Sequence, residues 1–198
     1  MFDDARSKKV VLAAHCLLNQ CAISDGTAEC ASQFTAVVEL LMEHGIGILQ
    51  LPCPELLCLG LERGDAGGAR RPLLDENSRI RTQMLSEAAV GILRRQAVTI
   101  ARQVVDYRSH GFEVIGIVGV DRSPSCGVDT TSRDGREELG RGVFVEILAD
   151  VLAQHGTVLR MVGTKTSEPE RSIERVRRFL DEVGRPASRS GPDAGGRD

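Results

Sequence analysis

The sequence contains no tryptophan, one tyrosine and five phenylalanines. It also has no excess of positive charge, because 25 lysines and arginines stand against 28 aspartates and glutamates, for a formal net charge of −3 at pH 7. A nucleic-acid-binding surface generally needs a basic face and aromatic rings on which bases can stack. The composition therefore argues against a nucleic-acid partner.

Long apolar runs are missing as well. No stretch approaches the ~18 consecutive apolar residues of a membrane-spanning helix. The opening MFDDARSKK is not followed by an apolar segment long enough for export. We therefore expect a cytoplasmic protein with no membrane partner. In a reducing compartment the six cysteines cannot be assumed to pair, so they are metal ligands, catalytic groups or buried side chains.

The sequence does contain an alternation of apolar runs and helical segments. Its 198 residues are enough for one domain with its own core. Runs that predict strands buried on both faces are Val10–Ala14, Ile46–Leu51, Val114–Val120 and Thr157–Val162. Segments with helical spacing are Gln33–Glu43, Glu87–His110, Val143–Gln154 and Pro169–Val183. This alternation predicts a single-domain α/β three-layer sandwich with a mainly parallel sheet, of the Rossmann-like or flavodoxin-like kind.

Two segments fall outside this pattern. The first, Gly60–Asn77, is rich in glycine, arginine and aspartate and predicts a long loop over a site. Its arginines either clamp an anion or remain solvated, and they are Arg63, Arg70 and Arg71. The second is the C-terminal stretch 185–198, which has no apolar residue able to anchor it. We expect a domain over residues 8–184 and a disordered tail over 185–198.

Three cysteines follow three of the predicted strands: Cys16 the first, Cys53 the second and Cys126 the third. Because ligands of open parallel sheets bind beyond the carboxyl ends of the strands, we expect these thiols to converge there. Structural zinc usually draws on close pairs such as C-x2-C, which this sequence lacks. An iron–sulfur cluster accepts ligands scattered along the chain and normally takes four cysteines. Three cysteines would leave one iron open.

Other interpretations of the thiols remain open. Cys21 and Cys58 each complete a C-x4-C spacing with a proposed ligand, and either could supply a fourth one. The protein would then be a non-catalytic redox sensor or sulfur carrier. A third alternative is a cluster-free enzyme in which Cys126 is the nucleophile. Cysteine is also among the most buried residue types, so each thiol alone fits an ordinary core position.

Polar side chains accompany the thiols. Glu55 lies two residues after Cys53 in a proline-stiffened turn, where it is either a general acid or base or a carboxylate at a helix N-terminus. Ser123 and Ser125 stand on either side of Pro124. Their hydroxyls either bind an anionic or carbonyl oxygen near the thiols or cap a helix.

Taken together, these motifs resemble the thiouracil desulfidase family of bacterial and archaeal proteins. The matching motifs are C-L-L at Cys16 followed by Asp25–Gly26, C-P-E at Cys53–Glu55, and S-P-S-C-G at Ser123–Gly127. All three occur in the family's order, and the resemblance covers roughly Val10 to Val128. Three motifs in order are more specific than any one of them.

The resemblance implies a [4Fe-4S] cluster held by Cys16, Cys53 and Cys126. It further implies that the open iron takes the sulfur of a small thiocarbonyl substrate, while a carboxylate and a serine assist the attack of water. By motif position these are Glu55 and Ser123, with Ser125 as the second candidate serine. The implied reaction releases sulfide and leaves an oxo product.

The sequence departs from the family's usual pattern near the expected substrate pocket. Asn19 stands in place of glycine, Ser24 in place of tyrosine, and Leu57–Leu59 in place of a glycine-rich stretch. We therefore expect a divergent branch that acts on another thiolated base or a thioamide-like metabolite.

Overall fold

A four-stranded parallel sheet forms the centre of the computed structural model, which describes residues 2–183. The described residues contain six strands in all: β1 (Lys9–Ala13), β2 (Gly47–Gln50), β3 (Glu113–Val120), β4 (Thr130–Arg133), β5 (Arg136–Leu139) and β6 (Met161–Thr164). The central sheet has the order β2-β1-β3-β6, and β4 and β5 form a separate antiparallel pair. The expected tail, 185–198, lies outside the described residues.

Helices cover both faces of the central sheet. They are α1 (His15–Leu18), α2 (Thr35–Glu43), α3 (Pro54–Leu59), α4 (Leu73–Met84), α5 (Glu87–Ser109), α6 (Val143–Gln154) and α7 (Pro169–Val183). On one face, apolar side chains of α1, α2 and α7 form a core with the sheet, and on the other those of α4, α5 and α6 do so. The prediction of a single-domain α/β three-layer sandwich with a parallel sheet is confirmed.

The strands are buried on both faces, as their unbroken apolar runs predict. On β1, Val11 and Ala13 point into the core formed with α2 and α7. Leu12, between them, points into the opposite core. Successive side chains of a strand alternate between faces, so a strand covered on both sides must be apolar throughout.

Helix α5 is bounded by the signals visible in its sequence. The Ser86 hydroxyl accepts a hydrogen bond from the Ala89 amide at 3.3 Å, which caps the N-terminus. Gly111, just beyond the C-terminus, has a φ of +79°, a conformation that favours glycine. Within residues 2–183, no helix combines the length and the apolar character needed to cross a membrane.

The last central strand begins later than predicted, at Met161 instead of Thr157. The Thr157 amide donates to the Leu152 carbonyl at 2.9 Å, so this residue closes the turn that follows the C-terminus of α6. Val158 is 91% exposed. Pairing with β3 begins where the Ile117 amide donates to the Arg160 carbonyl at 2.9 Å. The apolar run therefore straddles a helix end and a strand.

The prediction that Gly60–Asn77 is entirely a loop was wrong, because α4 begins at Leu73 and runs to Met84. The buried face of this helix is largely polar and includes Glu76 and Arg81 together with Ile80. Helical periodicity was therefore hidden from a search based on apolar residues. Pro72, immediately before the first turn, marks the helix start.

The β4–β5 hairpin was not predicted. Both strands are polar, but their turn is Asp134–Gly135, and both residues have positive φ values of 50° and 70°. An Asp-Gly pair with this backbone is typical of tight two-residue hairpins. The hairpin packs next to the segment that carries Cys126, because Arg122 and Thr131 form a parallel bridge.

Candidate functional site

The three cysteines that follow predicted strands line one cavity beyond the carboxyl edge of the central sheet. Cys16 lies in α1 directly after β1, Cys53 is the N-cap residue of α3 after β2, and Cys126 lies in the segment between β3 and β4. The cavity has a volume of about 80 Å³, and its walls also include Glu55 and Ser123. The fold thus brings together residues that are as far apart in sequence as Cys16 and Cys126.

The three thiols are free, and the protein environment favours their neutral form. Burial raises the pKa of the Cys16 thiol to about 12, and the neighbouring charge of Cys53 acts in the same direction. Burial also raises the pKa of Cys53 and of Cys126. Three thiolates here would repel one another in a desolvated space. The deprotonated form of all three cysteines therefore requires a compensating cation.

The arrangement does not mark the position of a single ion. Among residues 2–183, no three histidine, cysteine, aspartate or glutamate side chains are grouped as ligands of one metal ion. The three thiols instead line a cavity that is large enough for a small ligand.

Glu55 occupies the second position of α3 and is buried. Its Oε1 accepts a hydrogen bond from the Ser125 hydroxyl at 2.9 Å. Its Oε2 accepts one from Arg63 Nε at 2.9 Å and one from the Ser24 hydroxyl at 3.2 Å. Three donors, one of them a guanidinium, fix the orientation of this side chain at the cavity wall.

Arg63 is buried at the cavity wall, where it pairs with Glu55. Besides Glu55, its guanidinium donates to the carbonyls of Gly60, at 2.8 Å, and Ala22. It also reaches Cys53 Sγ at 3.9 Å. The sequence left open whether this arginine binds an anion or stays solvated. In the structure it is buried and connects the loop after α3 to Glu55 through an ion pair. Its own φ of +52° is unusual for a residue with a side chain.

The two candidate serines have different positions. Ser123 lines the cavity, and its Oγ accepts hydrogen bonds from the amides of Ser125, at 3.3 Å, and Cys126, at 3.0 Å. Ser125 is fully buried and directs its hydroxyl at Glu55. Ser123 therefore shapes the turn and touches the cavity, whereas Ser125 orients the carboxylate.

Asp121, which sequence reasoning did not single out, anchors the segment that carries these serines. Its Oδ1 accepts hydrogen bonds from the amides of Val128, at 3.3 Å, and Asp129, at 2.9 Å. Its Oδ2 accepts one from Arg175 of α7 at 3.0 Å. Gly163 on β6 lies so close that a Cβ there would be 2.1 Å from Oδ1. The available signal was its position directly after β3, the same signal that identified the cysteines.

Arg81 of α4 supports the same segment from the opposite side. This buried guanidinium donates through Nη1 to the carbonyls of Pro124 and Arg141, both at 3.3 Å, and to the Thr131 hydroxyl at 3.2 Å. Burial lowers the pKa of Arg81. Arg81 therefore holds the turn at Pro124, while Asp121 holds the same segment further along, at Val128 and Asp129.

The remaining cysteines do not line this cavity. Cys21 is exposed and borders a neighbouring cavity of about 360 Å³. Cys58 is half-buried, and its Sγ lies 3.9 Å from the Ala89 carbonyl. Cys30 is exposed. Neither Cys21 nor Cys58 is therefore part of the wall that the other three thiols line.

The fold and the site together define a class of protein. It is an α/β sandwich that carries three thiols and a buried carboxylate at the carboxyl edge of its parallel sheet. The chain is 27% identical over 123 residues to an uncharacterized protein of Methanocaldococcus jannaschii, MJ0003, and the match covers 62% of this chain and 70% of that protein. No family model and no solved structure matches the chain.

Proposed function

We propose that this protein is a [4Fe-4S]-dependent desulfidase that replaces the sulfur of a small thiocarbonyl compound with oxygen from water. The observation that carries the proposal is the convergence of Cys16, Cys53 and Cys126 with the buried Glu55 on one cavity. The order of the three motifs, which resembles the thiouracil desulfidase family, supports the same function.

The donor set suits the cluster. Cys16, Cys53 and Cys126 would hold it, since cysteine thiolates are the usual ligands of iron–sulfur clusters. The cations of the cluster would also compensate the charge that makes three buried thiolates unfavourable. When bound by three cysteines, the cluster supplies a Lewis-acidic iron with affinity for sulfur.

Glu55 is the proposed proton carrier. Water forms a bond to the thiocarbonyl carbon and the carbon–sulfur bond breaks, so that one water is consumed and one hydrogen sulfide is released for each carbonyl formed. The exchange needs no oxidant or reductant. Glu55 carries two protons in turn: it accepts the first from the attacking water and the second from the hydroxyl that results, and it returns each to the departing sulfur. Its longest hydrogen bond, 3.2 Å from Ser24, is the one that a bound water could replace most easily.

Ser123 is the proposed donor to the new oxygen. The backbone amides of Ser125 and Cys126 already use the Oγ as an acceptor. The hydroxyl hydrogen therefore remains available to a ligand in the cavity that Ser123 lines. A hydrogen bond to the oxygen as it becomes a carbonyl would stabilise the charge that develops there.

The alternative of a non-catalytic cluster protein has less support. It requires a fourth thiolate, but Cys21 and Cys58 lie outside the cavity wall. The third alternative, Cys126 as a free nucleophile, conflicts with the burial that raises the pKa of this thiol.

The test is anaerobic reconstitution followed by iron, sulfide and turnover measurements on a matched set of variants. We expect about four irons and four sulfides per chain in the wild type. Cys16→Ser, Cys53→Ser and Cys126→Ser should each lose the cluster and sulfide release from a thiocarbonyl panel. Cys21→Ser and Cys58→Ser are the controls and should keep both. Stoichiometric zinc without iron, or loss of the cluster in Cys58→Ser, would contradict the proposal.

A further inference from the structure

The outer face of helix α5 carries a cluster of unpaired positive charge. Arg95 and Arg102 are seven residues apart and therefore lie on one face of the helix, and Arg94 borders the same face. All three side chains are exposed. Within residues 2–183, none of their guanidinium groups forms an ion pair or a hydrogen bond, whereas every arginine of α4 and α7 pairs with a carboxylate.

The three arginines border an open groove of about 550 Å³, and Gly91 forms part of its surface. Glycine inside a helix lowers stability relative to alanine. The backbone does not require it here, because Gly91 has an ordinary helical conformation. Packing does not require it either, because a Cβ at Gly91 would meet only Arg95 Nη1, at 3.6 Å. Close approach by another molecule would explain a glycine at this position.

The side chains between the arginines indicate the kind of partner. Val98 lies in the groove, and Val105, one heptad further along, is 41% exposed. A guanidinium binds a carboxylate through two parallel hydrogen bonds, and protein–protein interfaces combine arginine with apolar side chains. The acidic residues of α5, Glu87 and Asp106, lie near its two ends, so the groove itself has no carboxylate of its own.

Two other classes of partner fit this face less well. Single-stranded nucleic acids stack on aromatic rings, and the groove contains none. Polybasic membrane-binding segments usually carry about four to eight lysines and arginines, more than this groove offers. An acidic protein segment is therefore the partner that the charge and the apolar side chains favour.

We propose that the groove on α5 binds an acidic segment of a partner protein. Carboxylates of that segment pair with Arg94, Arg95 and Arg102, and an apolar side chain of the segment packs over Gly91. The groove shares no residue with the cavity that contains the three thiols, so this proposal is independent of the proposed function. The face from Gly91 to Val105 spans about 21 Å, the length of a four-turn helix.

The first test measures binding of a synthetic peptide to the full chain by fluorescence anisotropy. The probe is an amphipathic helix of about 15 residues with glutamates and leucines on one face, and its counterpart carries glutamine in place of each glutamate. We expect the glutamate peptide to bind about tenfold more tightly than the glutamine peptide at low ionic strength, and this preference to shrink as salt is added. Equal binding of the two peptides, or no binding of either, would overturn the proposal.

The same assay locates the binding surface with two triple variants that remove equal charge. Combining Arg94→Ala, Arg95→Ala and Arg102→Ala should weaken binding of the glutamate peptide about tenfold or more. The control combines three exposed arginines of α7 and should bind as the wild type does: Arg171→Ala, Arg177→Ala and Arg178→Ala. An equal loss in both triple variants would show that only net charge matters and would overturn the proposal.

Gly91→Ala separates docking from folding. Alanine favours the helix, so we expect the melting temperature to rise by about 2–4 °C, while the added methyl group weakens binding of the glutamate peptide at least about threefold. A higher melting temperature with unchanged binding, or a lower melting temperature, would overturn the proposal that this groove receives a partner.

Two competitors test the class of partner. Transfer RNA and vesicles that contain phosphatidylserine are each titrated against the bound glutamate peptide. We expect neither to displace it at physiological ionic strength, where binding that depends on charge alone is screened. Displacement by either one, lost in the α5 triple variant, would assign the face to nucleic acid or to a membrane and overturn the proposal.

Discussion

Arg63 Nε lies 2.9 Å from Glu55 Oε2, and the two side chains are only 3% and 9% exposed. A buried ion pair is stable only when its remaining polar atoms also find partners. Both members meet this condition: the guanidinium donates to backbone carbonyls around it, and the carboxylate accepts from Ser24 and Ser125. The loop after α3 and the S-P-S-C-G segment are thereby joined through one carboxylate.

Glu55→Gln should preserve the cluster and abolish most turnover. The amide keeps the size and polarity of the side chain but cannot accept a proton at neutral pH. We expect an unchanged visible absorption spectrum after reconstitution and a rate of sulfide release reduced ~10²-fold or more. Glu62→Gln, at an exposed position in the same region of the chain, is the control and should retain wild-type activity. Near-normal turnover by Glu55→Gln would show that another group carries the proton.

Arg63→Lys should destabilise the fold although it preserves the charge. An ammonium has three donors and no planar fork, so it cannot reproduce the contacts to Glu55, Gly60 and Ala22 together. We expect the free energy of unfolding in urea to fall by about 1–3 kcal/mol. Arg70→Lys, on the exposed part of the same loop, should have no measurable effect. Equal stability of the two variants would contradict the structural role assigned to Arg63.

Glu76→Gln should reduce stability at neutral pH and have little effect in acid. Hydrogen bonds from Arg79, and then from Arg71, hold the pKa of the Glu76 carboxyl below its ordinary value of 4.5. A depressed pKa means that the ionised group stabilises the fold above about pH 4.5 and that this contribution is lost as the pH falls through the folded-state pKa. We expect a deficit of about 1 kcal/mol at pH 7 that shrinks below pH 4.5. Urea unfolding across this range measures it, and a deficit independent of pH would exclude the ion pairs as its cause.

The sequence predicted the parts of the fold that depend on apolar periodicity. The runs around Val11, Ile48 and Ile117 became central strands, since strands covered on both faces must be apolar. The position of Cys16, Cys53 and Cys126 after these strands placed them at the sheet's carboxyl edge. This reasoning needed only the connectivity of a parallel sheet.

The sequence could not predict features that depend on pairing between distant polar residues. Arg63 resembles its exposed neighbour Arg70 in sequence, and only the tertiary approach of Glu55 distinguishes the two. Similarly, the S-P-S-C-G motif does not show which serine faces the carboxylate. Helix α4 was hidden because the face that it buries includes Glu76 and Arg81.

The most direct test of the proposed function is to follow oxygen and sulfur through one reaction. Anaerobically reconstituted protein is incubated with thiocarbonyl compounds in water enriched in oxygen-18, and both products are quantified by mass spectrometry and sulfide assay. We predict one sulfide for each oxo product, with one oxygen-18 atom at the former thiocarbonyl carbon, and no reaction by Cys126→Ser. An unlabelled product, or sulfur released in a form other than sulfide, would contradict hydrolytic desulfuration by this protein.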